Sequence, residues 1–163
     1  MPWAPALADP RTLSPLLGRQ AIHAIKALLE LAAAPQNWRS VNDLARVQNL
    51  PAPMLEQLLL QLRRAGLLEA RRGRLGGYRL AMAAESIPLA AVLTAIGVPL
   101  GSEPSVAAGE SSGAAAERVA ALMERRLRGA LERELQRCTL AELLYDLRSV
   151  RAELSDEGGL LMG

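Results

Sequence analysis

The sequence predicts a mainly α-helical chain: three short helices, a small β-hairpin, and a long C-terminal helix. Three observations carry that prediction. Half of the residues are apolar, drawn chiefly from Ala, Leu, Val and Ile with no Phe, a composition that favours helix over sheet. Apolar positions recur at helical spacing in blocks bounded by Ser, Thr, Pro or Gly. One stretch, Leu67 to Leu80, breaks that rhythm with short apolar segments around a glycine-rich turn.

The elements follow in order. Residues 1–12 are proline-rich and read as a mobile arm. Ser14-Pro15 opens the first helix, with Ser as cap and Pro in the first turn. Leu17, Ala21, Ile22, Ile25, Leu28, Leu29 and Ala32 then keep helical spacing to Ala34, before Pro35 stops the run. Ser40 caps a second helix that ends at Asn49-Leu50-Pro51. A third begins at Pro53, with Leu55, Leu58, Leu59 and Leu62 on its inner side, and closes at Ala65-Gly66. Leu67–Ala70 and Tyr78–Leu80 suit a hairpin whose Gly76-Gly77 tolerates positive backbone dihedrals. Pro88 starts a short helix, Leu89 to Ile96. Residues 98–113 are a flexible loop by composition. Helical spacing with many Arg–Glu pairs predicts a long helix from Ala114 to Arg137. Thr139-Leu140-Ala141-Glu142 then reads as a capping box for a last helix, and residues 155–163 as a frayed tail.

At 163 residues the chain can hold one domain plus an oligomerisation element. Residues 13–97 form the first unit and 114–154 the second. The stripe Val119, Leu122, Leu127, Leu131 and Leu135 is too long for so small a domain to cover, and its spacing suits a partner helix, hence a homodimer.

Net charge is only +2, so any affinity for an anion rests on charge distribution. Arg63, Arg64, Arg71, Arg72, Arg74 and Arg79 lie within seventeen residues that hold one acid, Glu69. A helix pair followed by a basic, glycine-rich ribbon is how a winged helix-turn-helix meets double-stranded DNA, releasing counterions from the phosphates. The second helix of such a pair enters the major groove. Met54 and Glu56 are therefore candidates for base readout, and Ser14, Arg19, Ser40 and Gln57 for phosphate contact, with Gln57 also of a type that can read an adenine edge. Arg71, Arg72, Arg74, Gly76, Gly77 and Tyr78 make up the candidate wing. The fold class is thus a three-helix core plus a small β-hairpin wing, with a long C-terminal dimerisation helix.

Leu55-Glu56-Gln57-Leu58-Leu59, Leu62-Arg63-Arg64-Ala65-Gly66-Leu67 and Arg72-Gly73-Arg74-Leu75-Gly76-Gly77-Tyr78-Arg79-Leu80 closely resemble the Rrf2 family of bacterial transcriptional regulators. Gly18-Arg19 and Ala21, Ile87-Pro88-Leu89 with Val92, and Thr139 to Leu143 extend the resemblance over nearly all of residues 13–147. It implies a dimeric winged-helix DNA-binding protein, with Arg72 at the position that reaches the minor groove and Glu56 at one used in base selection. Pro53 and Met54 stand where family members commonly have Ser and Tyr, so the operator sequence is expected to differ.

Many family members also hold an iron-sulfur cluster through three closely spaced cysteines in the loop before the long helix. Here residues 97–113 contain none. The chain has one cysteine, Cys138, and one histidine, His23, and one thiolate cannot hold an ordinary cluster. No cofactor is therefore expected. The alternatives are a 2Fe-2S cluster with unusual ligands, His23 and Cys138 from two subunits, and a protein-interaction module built on the same frame. The signal is left open among an unknown small ligand, a partner protein, Cys138 oxidation and protein abundance. No nucleophile–base pair, metal-ligand cluster or phosphate loop is legible, so no enzyme is expected. One cysteine, no signal peptide and no apolar run of membrane-spanning length predict a cytoplasmic protein without membrane contact.

Overall fold

The computed structural model describes residues 17–100 and 113–160. Six α-helices and one two-stranded antiparallel sheet follow in the order α1 (Arg19–Ala33), α2 (Val41–Gln48), α3 (Ala52–Arg64), β1 (Leu68–Arg71), β2 (Gly77–Leu80), α4 (Leu89–Ala95), α5 (Ala114–Arg137) and α6 (Leu140–Leu160). A 3-10 turn, Ala84–Ser86, lies between β2 and α4.

The first helix starts later than the Ser14-Pro15 signal predicts. Gly18 is extended (φ −63°, ψ 162°), and its carbonyl accepts the first helical bond from Ile22 N at 3.2 Å. Glycine is a poor helix-interior residue and gives way to an extended cap here. Ser14 itself lies outside the described residues.

The helix-turn-helix is built by local signals. The Ser40 side chain accepts from the backbone N–H of Asp43 at 3.1 Å and so caps α2. Asn49 ends α2 in the left-handed region (φ 52°), and Leu50 N donates back to the Ala45 carbonyl at 2.8 Å. Pro51 and Pro53 begin α3, where a missing N–H costs no helical bond. Gly66 (φ 78°) closes α3, with Leu67 N donating to the Leu62 carbonyl at 3.0 Å.

The core is leucine on alanine. Leu28 and Leu31 of α1, Leu44 of α2, Leu55, Leu59 and Leu62 of α3, and Val92 and Leu93 of α4 are essentially inaccessible. Burial of each large side chain contributes about 1.5–3 kcal/mol, and Ala21, Ala24 and Ala27 of α1 are fully buried among them. Leu68 and Leu80 oppose each other in the hairpin and anchor one of its faces in this core.

The corner between α5 and α6 is stitched to the first unit. Leu89 N donates to the Cys138 carbonyl and Leu140 N to the Ile87 carbonyl, both at 2.9 Å. Leu135, Leu140 and Leu144 are buried at this corner. Leu135 therefore belongs to the chain's own core, which corrects its place in the predicted dimerisation stripe. The rest of that stripe is open, with Val119 65%, Leu122 47%, Leu127 64% and Leu131 38% exposed. Half of the predicted capping box forms, since Glu142 N donates to Thr139 Oγ1 at 3.4 Å. α6 is helical as far as Leu160, and residues 161–163 of the tail expected to fray lie outside the described residues. Among the described residues, no helix is long and apolar enough to cross a membrane.

Candidate nucleic-acid interface

Glu56 and Gln57 are exposed on the first turns of α3, while Met54 is half-buried. Arg19 is exposed at the start of α1. Ser40 uses its oxygen lone pair on Asp43 N as the cap of α2, which leaves its hydroxyl hydrogen available to a phosphate oxygen.

The wing is where the structure adds most. The register pairs Leu68 with Leu80, Glu69 with Arg79, Ala70 with Tyr78 and Arg71 with Gly77. Side chains alternate across a strand, so Glu69, Arg71 and Arg79 share the face turned away from Leu68 and Leu80. On that face the guanidiniums of Arg71 and Arg79 lie 4.6 Å and 4.4 Å from the centre of the Trp38 ring. Arg79 also pairs with Glu69 at 3.0 Å. An Arg71 N–H donates to the Leu75 carbonyl across the turn.

These contacts sort the predicted wing arginines. Arg71 is held by the Trp38 ring and the Leu75 carbonyl within the wing itself. Arg72 and Arg74 are exposed and form no ion pair among the described residues. Arg63 and Arg64, at the end of α3, are likewise exposed.

The two glycines of the turn have separate reasons. Gly77 has φ 140°, and a Cβ there would meet the Arg39 carbonyl oxygen at 2.2 Å. Gly76 does not share the predicted positive φ; its need is room, because a Cβ would fall 2.1 Å from the Arg71 carbonyl oxygen. Gly73 supplies another positive φ, 106°, and its carbonyl accepts from Gly76 N at 3.0 Å. Tyr78 is half-buried, and its backbone exchanges hydrogen bonds with Arg39, at 2.8 Å and 3.0 Å. Arg39 thus adds a one-residue third strand to the hairpin. Sequence reasoning missed Trp38 and Arg39; the only signal was a lone tryptophan just before the cap of α2.

Among the described residues there is no cluster of three or more His, Cys, Asp or Glu side chains placed to hold a metal ion. Cys138 is half-buried at the end of α5. Burial first, then hydrogen bonding to Glu142 and the charges of Glu142, Glu134 and Asp146, push its thiol pKa up from the ordinary value of 9.0. That environment disfavours the thiolate that iron requires. On α1, His23 has a buried Nδ1 with no hydrogen-bond partner. Burial, and then the charges of Lys26 and Arg19, lower its pKa from 6.5. The donor set of this chain does not fit a cysteine-ligated cluster.

A capped helix pair, a hairpin wing and a long helix projecting from them define a winged-helix DNA-binding transcriptional regulator. The family model for Rrf2, described as iron-dependent transcriptional regulators, matches residues 17–146, and the chain belongs to the Rrf2 family. A Synechocystis protein provisionally described as an HTH-type transcriptional regulator, slr0846, is 41% identical over 131 residues, covering 80% of this chain and 88% of its own. The HTH-type transcriptional regulator IscR of Cereibacter sphaeroides is 40% identical over 106 residues, 63% of this chain and 68% of that protein. Two solved structures share the fold. IscR of T. potens has a TM-score of 0.65 at 27% identity, covering 82% of this chain and 89% of its own. CymR, the global cysteine regulator of B. subtilis, has a TM-score of 0.65 at 26% identity, covering 79% and 95%.

Proposed function

We propose that this regulator works as a homodimer whose two winged helices straddle a pseudo-palindromic operator. In each half-site the head of α3 faces base edges through Glu56 and Gln57, with Met54 offering an apolar contact. Glutamate can accept from a cytosine amino group and glutamine can pair with adenine, so the two discriminate bases. Glu56 repels phosphate, and its contribution is selectivity. Arg72 and Arg74 supply the wing contacts, with Arg72 in the minor groove; Arg19 and Ser40 meet phosphates.

The observation that carries this reading is the division of the wing arginines. Arg71 and Arg79 are held by the protein itself, whereas the turn between them presents Arg72 and Arg74 unpaired among the described residues. A surface built for an acidic protein partner would also be cationic, and ionic strength separates the two. Phosphate neutralisation gives a linear fall of log affinity with log salt, whose slope counts the phosphates contacted. Selection of duplexes from a randomised pool, followed by a salt titration, tests the reading. Failure to enrich any sequence would overturn it.

The dimer reading is supported by α5, where Val119, Leu122, Met123, Leu127 and Leu131 are exposed large apolar residues on one helix. Regulation then proceeds without a cysteine-ligated iron-sulfur cluster. A small ligand, a partner protein or the amount of the protein itself supplies the signal.

A further inference from the structure

Residues 38–40 hold three connections in succession. The Trp38 ring meets Arg71 and Arg79, the Arg39 backbone pairs with Tyr78 while its guanidinium lies 3.5 Å from Glu30 of α1, and Ser40 caps α2. We propose that Trp38 is the positioning residue of the wing, holding Arg71 and Arg79 so that Arg72 and Arg74 stand at a fixed place relative to α3. The proposal rests on the reading that the wing meets DNA.

A two-stranded hairpin is marginal by itself, so its orientation depends on what grips it. One face is gripped by the core through Leu68 and Leu80. The other face carries Glu69, Arg71 and Arg79, and Trp38 is the ring that covers it. The pairing of Arg39 with Tyr78 accounts for that placement. Side chains alternate along both segments, so Trp38 falls on the same face as Arg79.

A guanidinium stacked on a ring keeps its N–H edges free for other partners. Arg79 uses them to hold Glu69 on the neighbouring strand. Arg71 uses them to hold the Leu75 carbonyl, closing the turn that carries Arg72 and Arg74. The path from the start of α2 to the wing tip is therefore continuous: Trp38, Arg71, Leu75. Because Ser40 begins α2 two residues after Trp38, the same short segment orients the helix pair and the wing together.

The test compares Trp38→Ala and Trp38→Phe with the wild type, using a short duplex that the wild type selects from a randomised pool. Binding is read by fluorescence anisotropy, and backbone amide exchange is read over the whole chain. Trp38→Ala is expected to weaken binding roughly five- to thirty-fold, the loss of two cation–π contacts, and Trp38→Phe to recover most of it. Amides of residues 71–78 should exchange faster in Trp38→Ala while those of α1 and α3 stay protected. Arg79→Gln, which removes one stacked cation and keeps the ring, should shift both readouts the same way by less. Wild-type affinity in Trp38→Ala would overturn the proposal, as would equal losses in the Ala and Phe variants. Exchange that rises evenly over the whole domain would also overturn it. If the wild type selects no duplex, the DNA reading fails, and the exchange comparison still decides whether Trp38 positions the wing.

Discussion

The carbonyl oxygen of Arg39 lies 2.2 Å from the point where a Cβ on Gly77 would stand. No side chain fits there, and the φ of 140° at Gly77 is one that only glycine adopts without strain. This close approach lets residue 39 join the hairpin as a third strand. Gly77→Ala should therefore break the pairing between Arg39 and Tyr78. The expected cost is about 1–3 kcal/mol, measurable by urea denaturation, with a matching loss of DNA affinity. Unchanged stability in this variant would mean that the wing is not fastened through Arg39.

Arg72→Ala should weaken binding to the selected duplex by about 1–3 kcal/mol and relax preference at the bases beneath the wing. Arg74→Ala should act more evenly across sequences and reduce the salt slope by about one. Wild-type affinity for Arg72→Ala at every salt concentration would remove the wing from the interface.

Much of this fold was legible because its signals are local. Ser40, Asn49, the prolines at the head of α3 and Gly66 each act within one helical turn, and each does what its chemistry predicts. The long helix was legible from charges at helical spacing, of which Arg128 and Glu124 form a 2.7 Å pair. What stayed hidden depends on residues far apart in the chain. Trp38 meets arginines on the far side of two helices, and no periodicity marks that encounter. Leu135 continues the stripe of Leu127 and Leu131 in sequence, but spacing does not distinguish a partner's surface from the chain's own core. The start of α1 differs for a local reason: Gly18 is extended, so the helix begins at Arg19, and the Ser14 cap signal lies outside the described residues.

The stripe itself gives two opposite expectations. Charged substitutions at Leu127 and Leu131 remove exposed apolar area, so they should yield a monomer whose thermal transition for the first unit is kept. Leu135→Ala instead opens a cavity in the chain's own core and should cost about 2–5 kcal/mol without first dissociating the protein. Light scattering combined with thermal denaturation separates the two. A Leu127→Glu, Leu131→Glu variant that remains dimeric would place the interface elsewhere.

His23 makes stability depend on pH. Its folded pKa is lowered, by burial and then by Lys26 and Arg19, so the unfolded chain binds the proton more readily. Stability from this source is therefore full above the ordinary value of 6.5 and is lost as pH falls through the lower folded value. The His23→Gln variant should show a flatter stability profile across that acidic window. Identical profiles for the two proteins would show that the imidazole titrates freely.

The Cys138 thiol gives the sharpest test of regulation without a cluster. Iron-sulfur ligation needs thiolates, several of them, because the cluster prefers soft anionic donors. This chain has a single cysteine, and four surroundings act on it in the same direction: burial, Glu142, Glu134 and Asp146 all raise its pKa. The protonated form then dominates at neutral pH, which slows both metal binding and oxidation. Alkylation by iodoacetamide should be slower than for a free thiol at neutral pH, with its midpoint above the ordinary 9.0. Glu142→Gln removes one of these charges and should move that midpoint down while leaving the protein folded. Protein purified without oxygen should carry iron and sulfide far below one cluster per dimer. Near-stoichiometric iron and sulfide, lost in Cys138→Ala, would show that two subunits combine their donors after all.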